Sequence, residues 1–366
     1  MRISDRYIGK QVLLGTLYAV LILGLVLVLG NLFKKIQPLL VEQKAPLELV
    51  LRFVISVLPA SLMYTVPWGF LSAVLLVFGR LSSDHEITSF RVAGVSLVRL
   101  AAPVFVIAAG LSGFSYWLNV NVVPQSKATI IELLYEQAAR NPASLLKPGV
   151  VQGDFRGSGS DGQKLLVEDR RGDWVEGFHF YQVPDEGGVG TYIHAKEAAL
   201  SVDEENSQLR IKLEDAYFEN RKADGTVEMA FAGRAEPLLI DLKNPRSRKL
   251  KASAMTNAQI REQLRSNDEI SPGRRVKFQA KLVQRYTFSL ACLAFAFVAV
   301  PLGLNSRRRE TSSGLVFSLF IGTAYFLITI MAEDVSDPKL SIILLWVPNV
   351  LCVLLGIWLF RRARFK

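Results

Sequence analysis

Few side chains in this sequence could do covalent or metal chemistry, and they are widely separated. The histidines are His85, His179 and His194, and the cysteines are Cys292 and Cys352. Zinc and iron sites need several such ligands at short, regular spacings, and the sequence has no such spacing. It also lacks the G-x-x-x-x-G-K-[ST], H-E-x-x-H and G-x-S-x-G motifs of nucleotide binding, metalloproteases and serine hydrolases. We therefore expect no catalytic residue, no metal site and no bound cofactor.

The elements that would position any functional residue are six uncharged runs, each at least 21 residues long. A helix needs about 20 apolar residues to cross the hydrocarbon core of a bilayer, so each run predicts a membrane span. An ionisable side chain inside the membrane costs roughly 3 kcal/mol or more, and none of the runs contains one. This argues against a carrier that couples transport to an ion by itself. The runs are residues 11–33, 53–79, 100–126, 286–306, 311–332 and 340–360.

The net charge of +10 belongs to the predicted membrane part. Residues 127–280 hold 23 Lys and Arg against 24 Asp and Glu, which leaves 20 against 9 for the rest of the chain. The polar stretches on the side of the amino terminus carry 13 Lys and Arg, and the short loops on the other side carry 5. Because Lys and Arg mark cytoplasmic loops, both termini and residues 80–99 are predicted to be cytoplasmic and residues 127–280 to be exported.

The segment predicted to be exported has the sequence pattern of a β-domain. Five stretches in it alternate apolar with polar residues and are separated by turn residues such as those in "SGSDG", "DEENS" and "KADG". Short strands at such spacing predict a sandwich or jelly roll, whose open edge is either blunted or accepts a partner's strand. The stretches are residues 163–169, 175–183, 190–202, 207–220 and 226–242.

Between the second and third predicted spans the sequence reads "GRLSSDHEITSFRVAGVSLVRL", residues 79–100. Ser83 and Glu86 have the spacing of a capping box, in which each side chain accepts a hydrogen bond from a backbone amide at a helix start. Gly94 is suited to the left-handed conformation that ends a helix. The pattern predicts a short separate helix near residues 84–93.

This short helix is amphipathic. Ile87, Phe90 and Gly94 fall on one side, and Arg91 falls on another with Asp84. Two interpretations remain open at this point. The helix lies on the bilayer surface, or it inserts into a groove of a cytoplasmic partner.

The three-plus-three layout of spans, the segment "SSDHEITSFRVAGVS" and the amino-terminal "DRYIGK" (residues 5–10) resemble the LptF/LptG permeases of the lipopolysaccharide exporter. The resemblance covers the whole chain, and "DRYIGK" leans toward LptG. It implies a helical membrane protein of six spans with an inserted periplasmic jelly-roll-like domain. The implied divisions are residues 1–126 with spans one to three, 127–280 as the β-domain, and 281–366 with spans four to six.

The resemblance also implies a function in outer-membrane biogenesis. Such a permease is a non-catalytic subunit of an ABC-type exporter that extracts lipopolysaccharide from the bacterial inner membrane and passes it to a periplasmic bridge. The implied partners are the LptF/LptG paralogue, two copies of the ATPase LptB, which bind the ATP, and the proteins LptC and LptA. In this interpretation the short helix is the coupling helix that contacts the ATPase, with Glu86 at the position of the family's acidic contact residue. The implied coupling residues are Ser83, Glu86, Ile87, Phe90, Arg91 and Gly94.

Basic residues near the outer ends of spans are the implied contacts for the phosphates of the substrate. They are Lys34, Lys35, Arg52, Arg274, Arg275 and Lys277. The alternative is that these side chains simply extend to the membrane interface. In the family the first and fifth spans form a lateral gate. The resemblance therefore places near this gate the small residues Gly314, Ser318 and Gly322, whose spacing otherwise predicts close helix packing inside the bundle.

Three other functional classes fit parts of the sequence. A permease of the lipoprotein-release type would place its large external domain after the first span, whereas here it follows the third. A scaffold that displays a β-domain would need fewer than six spans. A membrane enzyme acting on lipids would need a polar cluster at the end of a span, and the sequence displays none.

Overall fold

The computed structural model describes residues 3–43, 47–140, 148–153, 162–171, 174–183, 190–203, 208–221, 226–234, 238–241, 252–265, 272–305, 312–333, 335 and 337–364. The chain divides into two compact units. The helical unit comprises Met1–Lys34, Leu51–Thr129 and Lys251–Lys366. The sheet unit comprises Lys35–Val50 and Ile130–Leu250.

Ten α-helices account for most of the described residues. Before the sheet the chain forms α1 (Ile3–Gln43), α2 (Leu47–Ser83), α3 (Glu86–Val92), α4 (Leu97–Trp117), a π-helical turn (Leu118–Val122) and α5 (Val123–Arg140). After the sheet it forms a 3-10 turn (Ala252–Ala254), α6 (Asn257–Arg265), α7 (Pro272–Ser289), α8 (Ala291–Asn305), α9 (Ser312–Glu333) and α10 (Pro338–Arg364).

Five helical stretches in the described part of the chain are long and apolar enough to cross a membrane. A sixth span results if α7 and α8, which are bent by 40° at Leu290, are counted as one broken helix. The six predicted spans are therefore five helices and one bent pair. The five are Ile3–Asn31, Val50–Ser83, Leu97–Leu133, Val316–Glu333 and Pro338–Arg362.

The helical unit has one large apolar core. Phe70 and Phe78 of α2 and Phe295 of α8 are among its fully buried side chains. Between helices in lipid, packing contacts replace the hydrophobic effect as the main attraction, so small residues at crossings matter. Gly356 of α10 is one of them, because a β-carbon there would collide with the backbone of Phe297 in α8.

The sheet unit contains seven described strands, all antiparallel to their neighbours. They are β1 (Gln152–Gly153), β2 (Gly162–Arg171), β3 (Trp174–Val183), β4 (Gly190–Asp203), β5 (Gln208–Arg221), β6 (Val227–Arg234) and β7 (Leu238–Asp241). The five predicted strands correspond to β2, β3, β4, β5 and the successive β6 and β7, which confirms the period-two alternation.

Strand order follows chain order from β1 to β6, and β7 pairs with the part of β5 that precedes the β6 pairing. The described strands thus form a meander. A jelly roll in the strict sense has two Greek keys. The prediction of an inserted β-domain is confirmed, and its described strands form a simple antiparallel sheet in place of a jelly roll. The register joins Val167, Phe178, Ala195 and Ala216 across β2 to β5, and all four are fully buried in one apolar cluster.

Candidate functional site

The helix predicted near residues 84–93 exists as α3, but it begins in a different way. Ser83 remains in α2, where its hydroxyl donates to the carbonyl of Gly79 at 2.8 Å, so the capping box does not form. The turn is made instead by His85, which precedes α3 with φ 58° and provides no side-chain cap. The expectation was wrong because the apolar helix α2 continues through Ser83 and leaves its hydroxyl no free helix end to cap.

The predicted end of α3 is confirmed. Gly94 has φ 81°, in the left-handed region that glycine adopts without strain. The amide of Val95 donates to the carbonyl of Phe90 at 3.0 Å, and that of Gly94 donates to the carbonyl of Arg91 at 2.9 Å. These two bonds form a Schellman motif. Phe90 and Val95 also both pack on the core of the helical unit, so the helix end is fixed by contact as well as by hydrogen bonds.

The residues of α3 divide into an inner and an outer set. Ile87 is buried in the core of the helical unit and Phe90 packs against it, so these two anchor the helix to the bundle. Arg91 and Val92 point outward, and Val92 is 85% exposed. A groove of about 570 Å³ lies beside this outer face. Its lining residues are Arg91, Gly94, Val95, Ser96, Leu97, Val98, Phe360 and Arg361.

Glu86, the first residue of α3, is held by the amino-terminal helix. The hydroxyl of Tyr7 in α1 donates to Oε1 of Glu86 at 3.3 Å. Tyr7 belongs to "DRYIGK", so the two segments that carried the family resemblance lie next to each other. Sequence periodicity could not reveal this contact, because it joins residues 79 positions apart.

The basic residues expected near the substrate are distributed over three helices. Arg274, Arg275 and Lys277 lie together at the start of α7, where Arg274 stacks 5.4 Å from the ring centroid of Phe278 and the other two are exposed. Arg52 is exposed on α2. Lys34 and Lys35 lie in α1, but their side chains are outside the described part of the chain.

A polar cluster that the sequence analysis missed lies further along α7. Nζ of Lys281 forms an ion pair with Oε1 of Glu333 at 3.3 Å and a hydrogen bond with Oε1 of Gln284 at 2.5 Å. The amide nitrogen of Gln284 also donates to Glu333. Glu333 is the last residue of α9, so this cluster joins α7 to the end of α9.

Arg285, one helical turn further, is buried. Its guanidinium donates to Oδ1 of Asn257 at 2.5 Å and to the carbonyl of Met255 at 2.6 Å, with a longer bond to the carbonyl of Ala252. It thereby fixes the segment that leads into α6. With Lys281 it lines a small cavity of about 10 Å³, room for about one water molecule. The lining residues are Met63, Asn119, Val123, Lys127, Ser253, Lys281, Gln284, Arg285 and Phe288.

The bend between α7 and α8 is stabilised by hydrogen bonds from two other helices. The carbonyl of Thr287 accepts from Nδ2 of Asn349 in α10 at 2.9 Å and from the hydroxyl of Tyr325 in α9 at 3.4 Å. The π-helical turn contributes as well, since Nδ2 of Asn119 donates to Oγ of Ser289 at 3.2 Å. A broken helix in a membrane needs such partners for its freed backbone groups.

The small residues of α9 pack inside this chain. Ser318 and Gly322 are buried, and a β-carbon at Gly322 would lie 2.9 Å from ring atoms of Trp68 in α2. Gly314 lies outside the residues whose surroundings are described. The opposite face of α9 is apolar and exposed, with Phe320 75% accessible. Gly322 therefore packs against α2, and the outward face of α9 is exposed in this chain.

The scattered histidines and cysteines form no group suited to a metal within the described residues. His179 contacts Glu168 at 3.2 Å and the hydroxyl of Tyr192 at 2.8 Å, and its ring stacks on that of His194. Partial burial, followed by the nearby charge of Glu219, raises the pKa of Tyr192, so its phenol stays neutral. The contacts of His179 therefore join neighbouring strands of the sheet.

Comparison with known proteins adds one match. The sequence model of the family described as lipopolysaccharide export system permease LptF/LptG matches residues 6–362. Comparison with curated proteins gives no match.

Proposed function

This chain belongs to the LptF/LptG family of lipopolysaccharide export permeases, and from that premise we propose that it is the LptG-type half of the exporter and is driven through α3. It is a non-catalytic, multi-pass subunit of an inner-membrane permease family. Family membership excludes the three alternative classes, namely a permease of the lipoprotein-release type, a scaffold that displays a β-domain and a membrane enzyme acting on lipids. The proposed partners are an LptF paralogue, the LptB dimer, LptC and LptA, and ATP is bound by LptB, with no cofactor in this chain.

The division of α3 into an anchored and an outward face is the observation that carries the proposal. Ile87 and Phe90 attach the helix to the bundle, so a force applied at its outer face reaches the spans. Arg91 and Val92, together with the adjacent groove, form the surface offered to the ATPase. We therefore propose that the ATPase contacts Arg91, Val92 and the groove. Ile87, Phe90 and Gly94 instead fix the position and the end of the helix.

The contact between Tyr7 and Glu86 gives α3 a second connection, to the start of the first span. We propose that Glu86 both meets the ATPase and transmits its movement to α1. The exposed basic residues at this end of the helical unit support a cytoplasmic position for α3 and both termini. They are Arg6, Lys10, Arg80, Arg91, Arg99, Arg361 and Arg362.

Co-purification tests the docking surface. The chain carries an affinity tag and is expressed with its paralogue and LptB, and the LptB retained is measured together with ATP hydrolysis. Because a reversed charge at an interface removes an attraction and adds a repulsion, we expect Arg91→Glu to weaken LptB association about tenfold. Glu86→Ala should uncouple hydrolysis from export. The matched control is Arg99→Glu, an exposed arginine beyond the end of α3.

Two results would contradict the proposal. One is that Arg91→Glu and Glu86→Ala both retain LptB and export at the level of the unmodified chain. The other is that Arg99→Glu is as harmful as Arg91→Glu, which would show a general charge effect and no specific surface.

A further inference from the structure

A groove of about 440 Å³ lies between α1 and α4 in the helical unit. It is at the end of the bundle that carries α3, because Tyr7 of α1 contacts Glu86 of α3 and α4 begins at Leu97, shortly after α3 ends. We propose that this groove binds one phospholipid with an anionic headgroup. The phosphate lies between Arg6 and Lys10, and an acyl chain follows the apolar part of the groove toward the middle of the membrane. The inference goes beyond the proposed function, since it depends on neither the ATPase nor lipopolysaccharide.

The apolar part of the groove has the shape that an acyl chain needs. Its floor is at Gly9, which is buried, and a β-carbon there would lie 3.8 Å from Cβ of Pro103 and 3.9 Å from Cδ1 of Ile107. The two helices are therefore close at Gly9 and leave a channel beside it. Leu13 of α1 and Val106 of α4 line this channel and are 50% and 64% exposed. An acyl chain in the groove would cover both side chains.

The charges at the mouth of the groove favour an anionic headgroup. Arg6 and Lys10 are four residues apart on α1 and so lie on the same face of the helix. Both are exposed, and neither has an ion-pair partner among the described residues. Asp5 contributes one carboxylate to the lining, so the two cations leave an excess of positive charge. Arg and Lys side chains reach the headgroup region from such positions and form charge-assisted hydrogen bonds with phosphate.

A second groove in the helical unit provides an internal comparison. It lies between α8 and α10, has a volume of about 300 Å³ and is lined by apolar side chains such as Leu290, Trp346 and Val353. All of its lining residues are uncharged. This second groove can receive an acyl chain but has no counter-charge for a phosphate. A preference for one headgroup is therefore expected only at the groove between α1 and α4.

Photo-labelling of the purified full-length chain in phosphatidylcholine vesicles tests the proposal. The vesicles contain a small fraction of photoactivatable phosphatidylglycerol or, in a parallel sample, photoactivatable phosphatidylcholine, and mass spectrometry quantifies the labelled peptides. Phosphatidylglycerol should label the groove between α1 and α4 several-fold more strongly, whereas both lipids should label the groove between α8 and α10 equally. A Lys or Arg near a membrane surface strengthens binding to anionic lipid about fivefold, so Arg6→Gln and Lys10→Gln should each lower the phosphatidylglycerol signal by about that factor.

Three further variants separate the groove from general charge effects. Arg361→Gln with Arg362→Gln removes two exposed arginines from the carboxyl-terminal part of α10, outside this groove, and should change neither signal. Arg6→Lys with Lys10→Arg keeps both charges and should keep the preference for phosphatidylglycerol. Val106→Trp narrows the groove at an exposed position without changing its charge and should lower its labelling by both lipids.

Three results would overturn the proposal. The first is equal labelling of the groove by the two lipids in the unmodified chain. The second is a loss of preference in the variant with both Arg361 and Arg362 replaced that matches the loss caused by Arg6→Gln. The third comes from repeating the experiment with the assembled exporter. Retained labelling by phosphatidylglycerol there supports a bound lipid, whereas loss of the label means that a helix of a partner subunit covers the groove.

Discussion

The two ends of the helical unit use polar residues in opposite ways. At the end with α3, Arg91 and Val92 face outward while Ile87 and Phe90 are packed inside, so the polar surface is available to a partner. At the other end, Lys281, Arg285 and Glu333 bond to one another or to neighbouring segments inside the bundle. The comparison separates two kinds of surface. The docking surface around α3 is not required for the stability of the helical unit, whereas the internal network of hydrogen bonds stabilises it.

The largest expected effect on stability is at Arg285. Replacing it with alanine removes its hydrogen bonds to the side chain of Asn257 and to the carbonyls of Met255 and Ala252. We expect the free energy of unfolding of the helical unit to fall by about 3 kcal/mol. Thermal unfolding in detergent measures this. Arg275→Ala, an exposed arginine on the same helix, is the control and should stay within about 0.5 kcal/mol. Equal stability of the two variants would show that the buried hydrogen bonds of Arg285 do not stabilise the helical unit.

A smaller loss is expected at the contact between α9 and α2. Gly322→Val places methyl groups where Trp68 already lies, and overpacking of this kind costs about 1–3 kcal/mol. The matched control is Thr323→Val, because Thr323 is exposed on the same helix. The double variant Gly322→Val with Trp68→Ala should recover part of the loss. If the double variant recovers nothing, the loss does not come from the contact between residue 322 and Trp68.

The smallest stability effect is expected at the bend between α7 and α8. Asn349→Leu removes the bond to the carbonyl of Thr287, and hydrogen bonds between membrane helices contribute about 0.6 kcal/mol on average, with a maximum near 1.7. Tyr325→Phe removes the second donor to the same carbonyl. A double-mutant cycle should therefore show coupling between these two changes, and strict additivity would mean that they act independently.

Much of this arrangement follows from local sequence signals. The end of α3 at Gly94 is predictable because glycine adopts the left-handed conformation without strain, and the strands are predictable because their alternation is a property of neighbouring residues. The capping role of Ser83 was wrong because a local motif cannot report that α2 continues through it. The coupling role of Glu86, Arg91 and their neighbours stays a prediction.

The missed cluster has a different cause. The uncharged run that predicted the fourth span begins at residue 286, whereas α7 begins at Pro272. An uncharged run excludes Lys281 and Arg285, because a charge in a membrane is costly. Inside the folded chain, however, they have Glu333, Asn257 and backbone carbonyls as partners. These partners are distant in sequence, so no window along the chain could find them.

Crosslinking from α3 in the assembled exporter tests the central claim most directly. A photo-reactive residue replaces Val92, which is 85% exposed at the docking end, and a second one replaces Met331, which is 69% exposed near the other end of the bundle. We predict that position 92 captures the ATPase and that position 331 does not. If position 92 captures only lipid or a periplasmic protein, α3 is not the coupling helix.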